Sequence, residues 1–253
     1  MTSSSPETAP EARLEVSGAV AEVVLNRPER KNAVTGPLVE AASAAIATAE
    51  ADPAVRVILL RGEGGVFCSG LDLKEFNAEP RPAWQPRFQG LWRGLHERLF
   101  GCDKVVVCAL ERYGINAGSA LALSADYMVV GDTAFLQVGE VRQGRPAPMN
   151  VAWLLARHSD AVARRVMLLG RRIPGPELLQ LGIAHAVVPD DDVLASARAL
   201  AGELAEIPPE GIAGTKGILR ALNAREAGSW FDTVAAAAAK VSVPRGPIPS
   251  LKE

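Results

Sequence analysis

The chain has 253 residues, enough for one large α/β domain or a domain with a helical appendage, and 48% of them are apolar, ample for a sizeable core. A formal net charge of −2 offers no electrostatic case for nucleic acid or an anionic membrane, and no apolar run approaches the roughly twenty residues needed to span a bilayer. Cys68, Cys102 and Cys108 show no CxxC pairing and the three histidines no HExxH, which points to reduced thiols in a cytoplasmic protein and away from a disulfide frame or a zinc site.

Residues 1–10, rich in Ser, Pro and Thr, lack both the apolar core of a signal peptide and an Arg-rich transit pattern, and read as a disordered tail. Arg13 to Val16 and Val20 to Leu25 then read as a hairpin turning at Ser17-Gly18. After a polar loop, Thr35 can cap a helix whose first turn suits Pro37, with Leu38, Ala42, Ala45, Ile46 and Ala49 on one face and Asp52-Pro53 at its end. Val55 to Leu60 is a strong strand. The glycine-rich stretch that follows, Gly62 to Phe76, is not a phosphate loop, because Leu71 stands where GxxxxG spacing requires Lys. Nor is it a dinucleotide fingerprint, since Phe67 replaces the third glycine. What remains is a glycine turn entering a short helix near Asp72, where a free N–H can face a ligand.

Phe88, Leu91, Trp92, Leu95 and Leu99 form a core-facing helical stripe, with His96 beside it as a packed or surface histidine. Val105 to Val130 is the stretch around which the rest is arranged. It reads as a buried strand (Val105–Leu110), a small-residue turn (Gly114 to Ser119), a buried helix (Ala120 to Ala125) and a second strand (Tyr127–Val130). Backbone N–H groups left unpaired in such a turn favour a negatively charged oxygen, so the turn is a candidate oxyanion hole. Next come a short strand at Thr133–Leu136, a turn from Gln137 to Gly144, helices at about Met149 to Arg157, Ala161 to Leu169 and Ile173 to Leu181, and a last strand at Ala184 to Val188. From Pro189 onward the chain reads as helical, including Ile212 to Leu222 and Trp230 to Val241, where Trp230-Phe231 and the Ala235–Ala239 run fit either the chain's own core or a subunit contact.

Four of these pieces, in order, resemble the enoyl-CoA hydratase/isomerase, or crotonase, family. They are Leu25-Asn26-Arg27-Pro28, Asp52-Pro53-Ala54-Val55-Arg56-Val57, Phe67-Cys68-Ser69-Gly70-Leu71-Asp72-Leu73, and the turn and helix Tyr113 to Asp126, with similarity from about residue 12 to about 220. The resemblance implies an α/β fold, a crotonase-like stacked ββα spiral, with a core domain at 11–190 and a C-terminal helical trimerisation region at 191–253. It implies a homotrimer, or a dimer of trimers, acting on an acyl-CoA thioester, with no cofactor because coenzyme A is part of the substrate. The N–H groups of Leu71 and Ala117 would hold the thioester oxygen. Arg27 and Lys74 would meet the coenzyme A phosphates, and Ser69, Gly70, Asp72 and Gly118 would complete the substrate contacts; Asp72 also suits a helix cap beside Leu71.

The hydratases of the family use two glutamates on opposite sides of one water. Here the first position is Ala120 and the second is Glu140. Asn116-Ala117-Gly118 replaces the usual glycine triplet, and Glu111-Arg112 the usual Asn-Gly. One base suffices to move a proton between carbons, so the resemblance favours double-bond isomerisation with Glu140 as single acid/base. The alternatives are hydration of a 2-enoyl thioester by Glu140 with water, or thioester binding without catalysis. A second carboxylate could come from Glu97, Asp72, Glu75 or Asp132, none with a spacing argument. Catalysis by Glu140 implies burial that raises its pKa. The acyl pocket is expected within residues 76–92 and 139–150, where Phe76, Trp84, Phe88 and Trp92 are bulky. A serine hydrolase is disfavoured, because Ser69 and Ser119 lack the GxSxG elbow.

Overall fold

The computed structural model describes residues 9–222 and 227–241; most of the expected N-terminal tail lies outside them. Its strands are β1 (Ala12–Ser17), β2 (Val20–Leu25), β3 (Val57–Gly62), β4 (Val105–Leu110), β5 (Tyr113–Ile115), β6 (Tyr127–Gly131), β7 (Phe135–Gln137), β8 (Arg172–Pro174) and β9 (Ala186–Val188). The main sheet runs β1-β2-β3-β4-β6-β9, parallel except for the β1–β2 hairpin, and β5-β7-β8 form a small second sheet.

Alternation along β3 and β4 sets the two faces, since successive side chains point to opposite sides. Ile58, Leu60, Val106, Cys108 and Leu110 enter the larger core, beneath α1 (Gly36–Ala51) and α3 (Phe88–Gly101). Val57, Leu59, Val105, Val107 and Ala109 enter a second core under α8 (Val193–Ala205), whose Ala197 and Ala201 let it lie close to the sheet. A sheet covered on both faces explains strands that read as continuous apolar runs. The expected α1 signals operate: Thr35 Oγ1 accepts the Leu38 N–H at 3.1 Å, and the helix stops at Asp52.

Around the site lie α2 (Leu73–Phe76), α4 (Ala117–Leu123) and α5 (Pro148–Arg157), followed by α6 (Asp160–Met167) and α7 (Gly175–Gln180). At the C-terminal end are α9 (Pro209–Leu222) and α10 (Ala227–Ala239). Phe231 of α10 is fully buried against Phe100, Trp153 and His96, so it serves the chain's own core. His96 is packed: its Nδ1 accepts the Trp153 indole N–H at 2.8 Å, and burial pushes its pKa down to about 3.

Two local expectations are corrected. The turn expected over Gly114–Ser119 contains β5, and the following helix starts at Ala117 instead of Ala120. Pairing with Phe135–Gln137 and a bridge from Cys68 to Gly114 make that strand, and neither partner is visible in the local pattern. Ile173-Pro174 belongs to β8, and the helix begins at Gly175. Here too a tertiary pairing, Leu136 with Ile173, decides the local conformation.

Candidate active site

Residues 67–72 thread between two neighbours. On one side Cys68 N–H donates to Tyr113 O and Ile115 N–H to Cys68 O, both at 3.1 Å. On the other, Val34 N–H donates to Gly70 O at 2.7 Å and Asp72 N–H to Val34 O at 2.9 Å. The two groups of a trans peptide point opposite ways. With Gly70 O turned to Val34, the Leu71 N–H therefore faces away from it. The same argument applies to the Asn116–Ala117 peptide. Asn116 O accepts from Ala120 N–H and from Asn150 Nδ2, both at 3.1 Å, so the Ala117 N–H points out of the start of α4. Neither N–H has an acceptor among the described residues.

Two glycines let these turns touch. Gly70 has φ +96°, and a Cβ there would lie 2.8 Å from Ile115 O. A Cβ on Gly118 would lie 2.5 Å from Cys68 O. Asn116 is a non-glycine residue at φ +52°. It is held there by its N–H on Gln137 O (2.7 Å), by Gly139 N–H on its Oδ1 (2.8 Å) and by Asn150, which over-determine a strained backbone.

Leu71, Ala117, Ala120 and Glu140 all line one cavity of about 940 Å³, with Phe88, Trp92 and Met149 on its apolar side. Glu140 opens a short 3-10 turn after β7. Its Oε2 is buried without a protein partner, and burial pushes the carboxyl up to about 7, with its own backbone N–H pulling partly the other way. Among the described residues it is the one carboxylate lining the cavity; Asp72, Glu75, Glu97 and Asp132 do not. The charged lining is otherwise Arg142, Arg145, Arg171 and Arg172, so the cavity favours anions.

The other expected site residues fall in different places. Ser69 lines the cavity, and Gly70 and Gly118 form the contact between the turns behind it. Lys74 is exposed on α2, one residue past Leu73, which lines the cavity. Arg27 is buried away from it, with Nη1 on Ala33 O at 2.7 Å and Nη2 on Asp72 Oδ2 at 3.2 Å. Asp72 caps α2 by accepting the Glu75 N–H at 3.1 Å. Burial alone would raise its pKa, but bonds from Arg30 and the Glu75 N–H, with the charge of Arg27, bring it below the usual range. Of the bulky aromatics expected in the pocket, Phe88 and Trp92 line it, while Phe76 and Trp84 are not among its lining residues and pack edge-on and tilted against Phe88. Sequence reasoning passed over Asn150 and the four arginines, because isolated Asn and Arg carry no motif.

A mostly parallel sheet covered on both faces, with two glycine turns meeting beside one cavity, matches the crotonase fold of the solved structures below. The sequence profile of the Enoyl-CoA hydratase/isomerase family matches residues 15–230. A carnitinyl-CoA dehydratase from Proteus mirabilis is 33% identical over 210 residues, 82% of this chain and 79% of that protein. A crystal structure of an enoyl-CoA hydratase/isomerase from Xanthobacter autotrophicus Py2 superposes with a TM-score of 0.81 at 28% identity, covering 92% of this chain and 88% of that one. One from Mycobacterium paratuberculosis gives 0.80 at 25%, covering 93% and 94%. The chain belongs to the enoyl-CoA hydratase/isomerase family and is an enzyme of that family.

Proposed function

We propose that the protein moves a double bond in an acyl-CoA thioester through an enolate, with Glu140 as the single acid/base. The thioester oxygen sits between the N–H groups of Leu71 and Ala117. The Glu140 carboxylate takes a proton from Cα of a 3-enoyl thioester, and the electron pair moves into the carbonyl. The same carboxyl returns the proton at Cγ, leaving the 2-enoyl thioester. The observation that carries this reading is one carboxyl on the cavity wall, with a buried unpartnered oxygen and a pKa near 7, where a group can both take and return a proton. The arginine-rich lining supports an anionic ligand such as a coenzyme A ester.

Hydration, or its reverse, is the second reading, favoured by the Proteus mirabilis relative named as a carnitinyl-CoA dehydratase. The two separate in one experiment. Wild-type protein and Glu140→Gln are incubated with 2-enoyl-CoA and with 3-enoyl-CoA, and hydration and isomerisation are followed apart. Isomerisation that falls about 10²- to 10⁴-fold in the variant, with little hydration in either, is the expected result. Hydration that depends on Glu140 selects the second reading, and turnover unaffected by the substitution contradicts both.

The same reading includes assembly as a homotrimer or a pair of stacked trimers. Leu168, Leu169, Ile218 and Leu219 are exposed large apolar side chains of the kind that subunit contacts cover. Light scattering at micromolar concentration is expected to return three or six chains; a monomer contradicts the assembly.

A further inference from the structure

We propose that Asn150, a neutral amide, is the second polar contact of the reacting centre and holds an O–H donor there opposite Glu140. This rests on the acyl-thioester reading. Asn150 sits in the first turns of α5, is 2% exposed and lines the same cavity as Glu140 and Ala120. Its Nδ2 donates to Asn116 O at 3.1 Å. That bond fixes which way the amide faces and leaves Oδ1 on the other side, buried and without a protein partner. A buried carbonyl without a donor costs stability, so a wall that keeps one is built for something that arrives.

Three further contacts locate it. Asn150 Nδ2 and the Ala120 N–H share the Asn116 carbonyl, so the amide stands next to the position where a cavity-facing carboxylate is missing. Asn116 in turn takes the Gly139 N–H on its own side chain, which ties Asn150 to the residue preceding Glu140. The Asn116 carbonyl belongs to the peptide whose N–H is that of Ala117. Asn150 therefore steadies one thioester-oxygen donor with Nδ2 while offering Oδ1 to the acyl group. The cavity then presents two buried acceptors, Glu140 Oε2 and Asn150 Oδ1. A water adding to a 2-enoyl thioester donates one O–H to each, whereas the single O–H of a 3-hydroxyacyl thioester donates to Asn150 Oδ1 while its oxygen accepts from the protonated Glu140 carboxyl. The amide does not ionise near pH 7, so it places the donor without competing for the proton that Glu140 carries.

The test is the affinity of butyryl-CoA and of 3-hydroxybutyryl-CoA, measured by calorimetry on Glu140→Gln, which prevents turnover, and on the same protein carrying Asn150→Leu. With Asn150 present, the hydroxy thioester is expected to bind about five- to tenfold more tightly, the range of one neutral hydrogen bond. In the protein carrying Asn150→Leu that preference is expected to vanish, while any affinity lost with the Nδ2 bond to Asn116 O falls on both thioesters alike. Equal affinity of the two thioesters for the protein that retains Asn150 overturns the proposal, whether or not the Asn150→Leu variant folds. A preference that survives Asn150→Leu overturns it too. Failure of butyryl-CoA to bind at all overturns the thioester reading and this inference with it. The oxygen of a water adding to a 2-enoyl thioester becomes the 3-hydroxyl, so this one preference reads the donor that Oδ1 holds on either side of that reaction.

Discussion

Burial decides what Glu140 can do. A carboxyl at its ordinary value would be fully ionised at pH 7 and a weak base; pushed up to about 7, it is half protonated there, as the proposed proton transfer to and from carbon requires. The ionised form is the base, so kcat/KM for a 3-enoyl thioester is expected to rise about tenfold per pH unit below 7 and to level off above it. A profile flat from pH 5 to 8 contradicts the assignment. The same shift bears on stability. The folded-state pKa lies above the unfolded one, so the folded state holds the extra proton and loses stability as pH rises from about 4.5 to about 7. Arg27 shows the opposite use of a charge. The family motif marks it as a phosphate contact, yet its guanidinium lies against Asp72, a residue distant in sequence whose approach no local pattern reveals.

At the scale of elements, the site depends on two turns meeting edge to edge. Gly70 and Gly118 were legible as glycines of motifs, and the structure gives the reason: each sits where a Cβ would strike the other turn's backbone. Gly118→Ala puts a methyl group 2.5 Å from Cys68 O and must move residues 67–71 away from α4. The expected cost is about 1–3 kcal/mol of stability, with a larger loss in kcat/KM, since displacing one oxyanion donor alone is worth about 2.7–4 kcal/mol of barrier. Denaturation and steady-state kinetics check this, and a variant with native kcat/KM sinks the two-turn account. Helices and long strands were readable because their periodicity is local and α1 carries its own cap. Strands β5 and β8 were not, because three residues hold no period and these are strands only through their partners. Asn150 was hidden for the same reason. Its role comes from a carbonyl 34 positions earlier.

The whole molecule keeps chemistry out of its core and concentrates it in one cavity. Cys68, Cys102 and Cys108 are buried free thiols whose pKa values burial pushes upward, which makes none of them a nucleophile. Among the described residues no group of His, Cys, Asp and Glu could hold a metal ion, and no helix is long and apolar enough to cross a membrane. The covered sheet holds the two turns and the Glu140 loop, so proton transfer beside a thioester is the activity on which the account stands. It is tested most directly by proton NMR of butyryl-CoA in deuterated buffer, with the protein and with Glu140→Gln. That thioester can form the enolate but has no double bond to move. Wild-type protein is expected to wash deuterium into Cα, and Glu140→Gln to lose that exchange by at least about 10²-fold. Exchange at equal rates in the two proteins, or none in wild-type protein that binds the thioester, would contradict the assignment of Glu140 as the proton carrier.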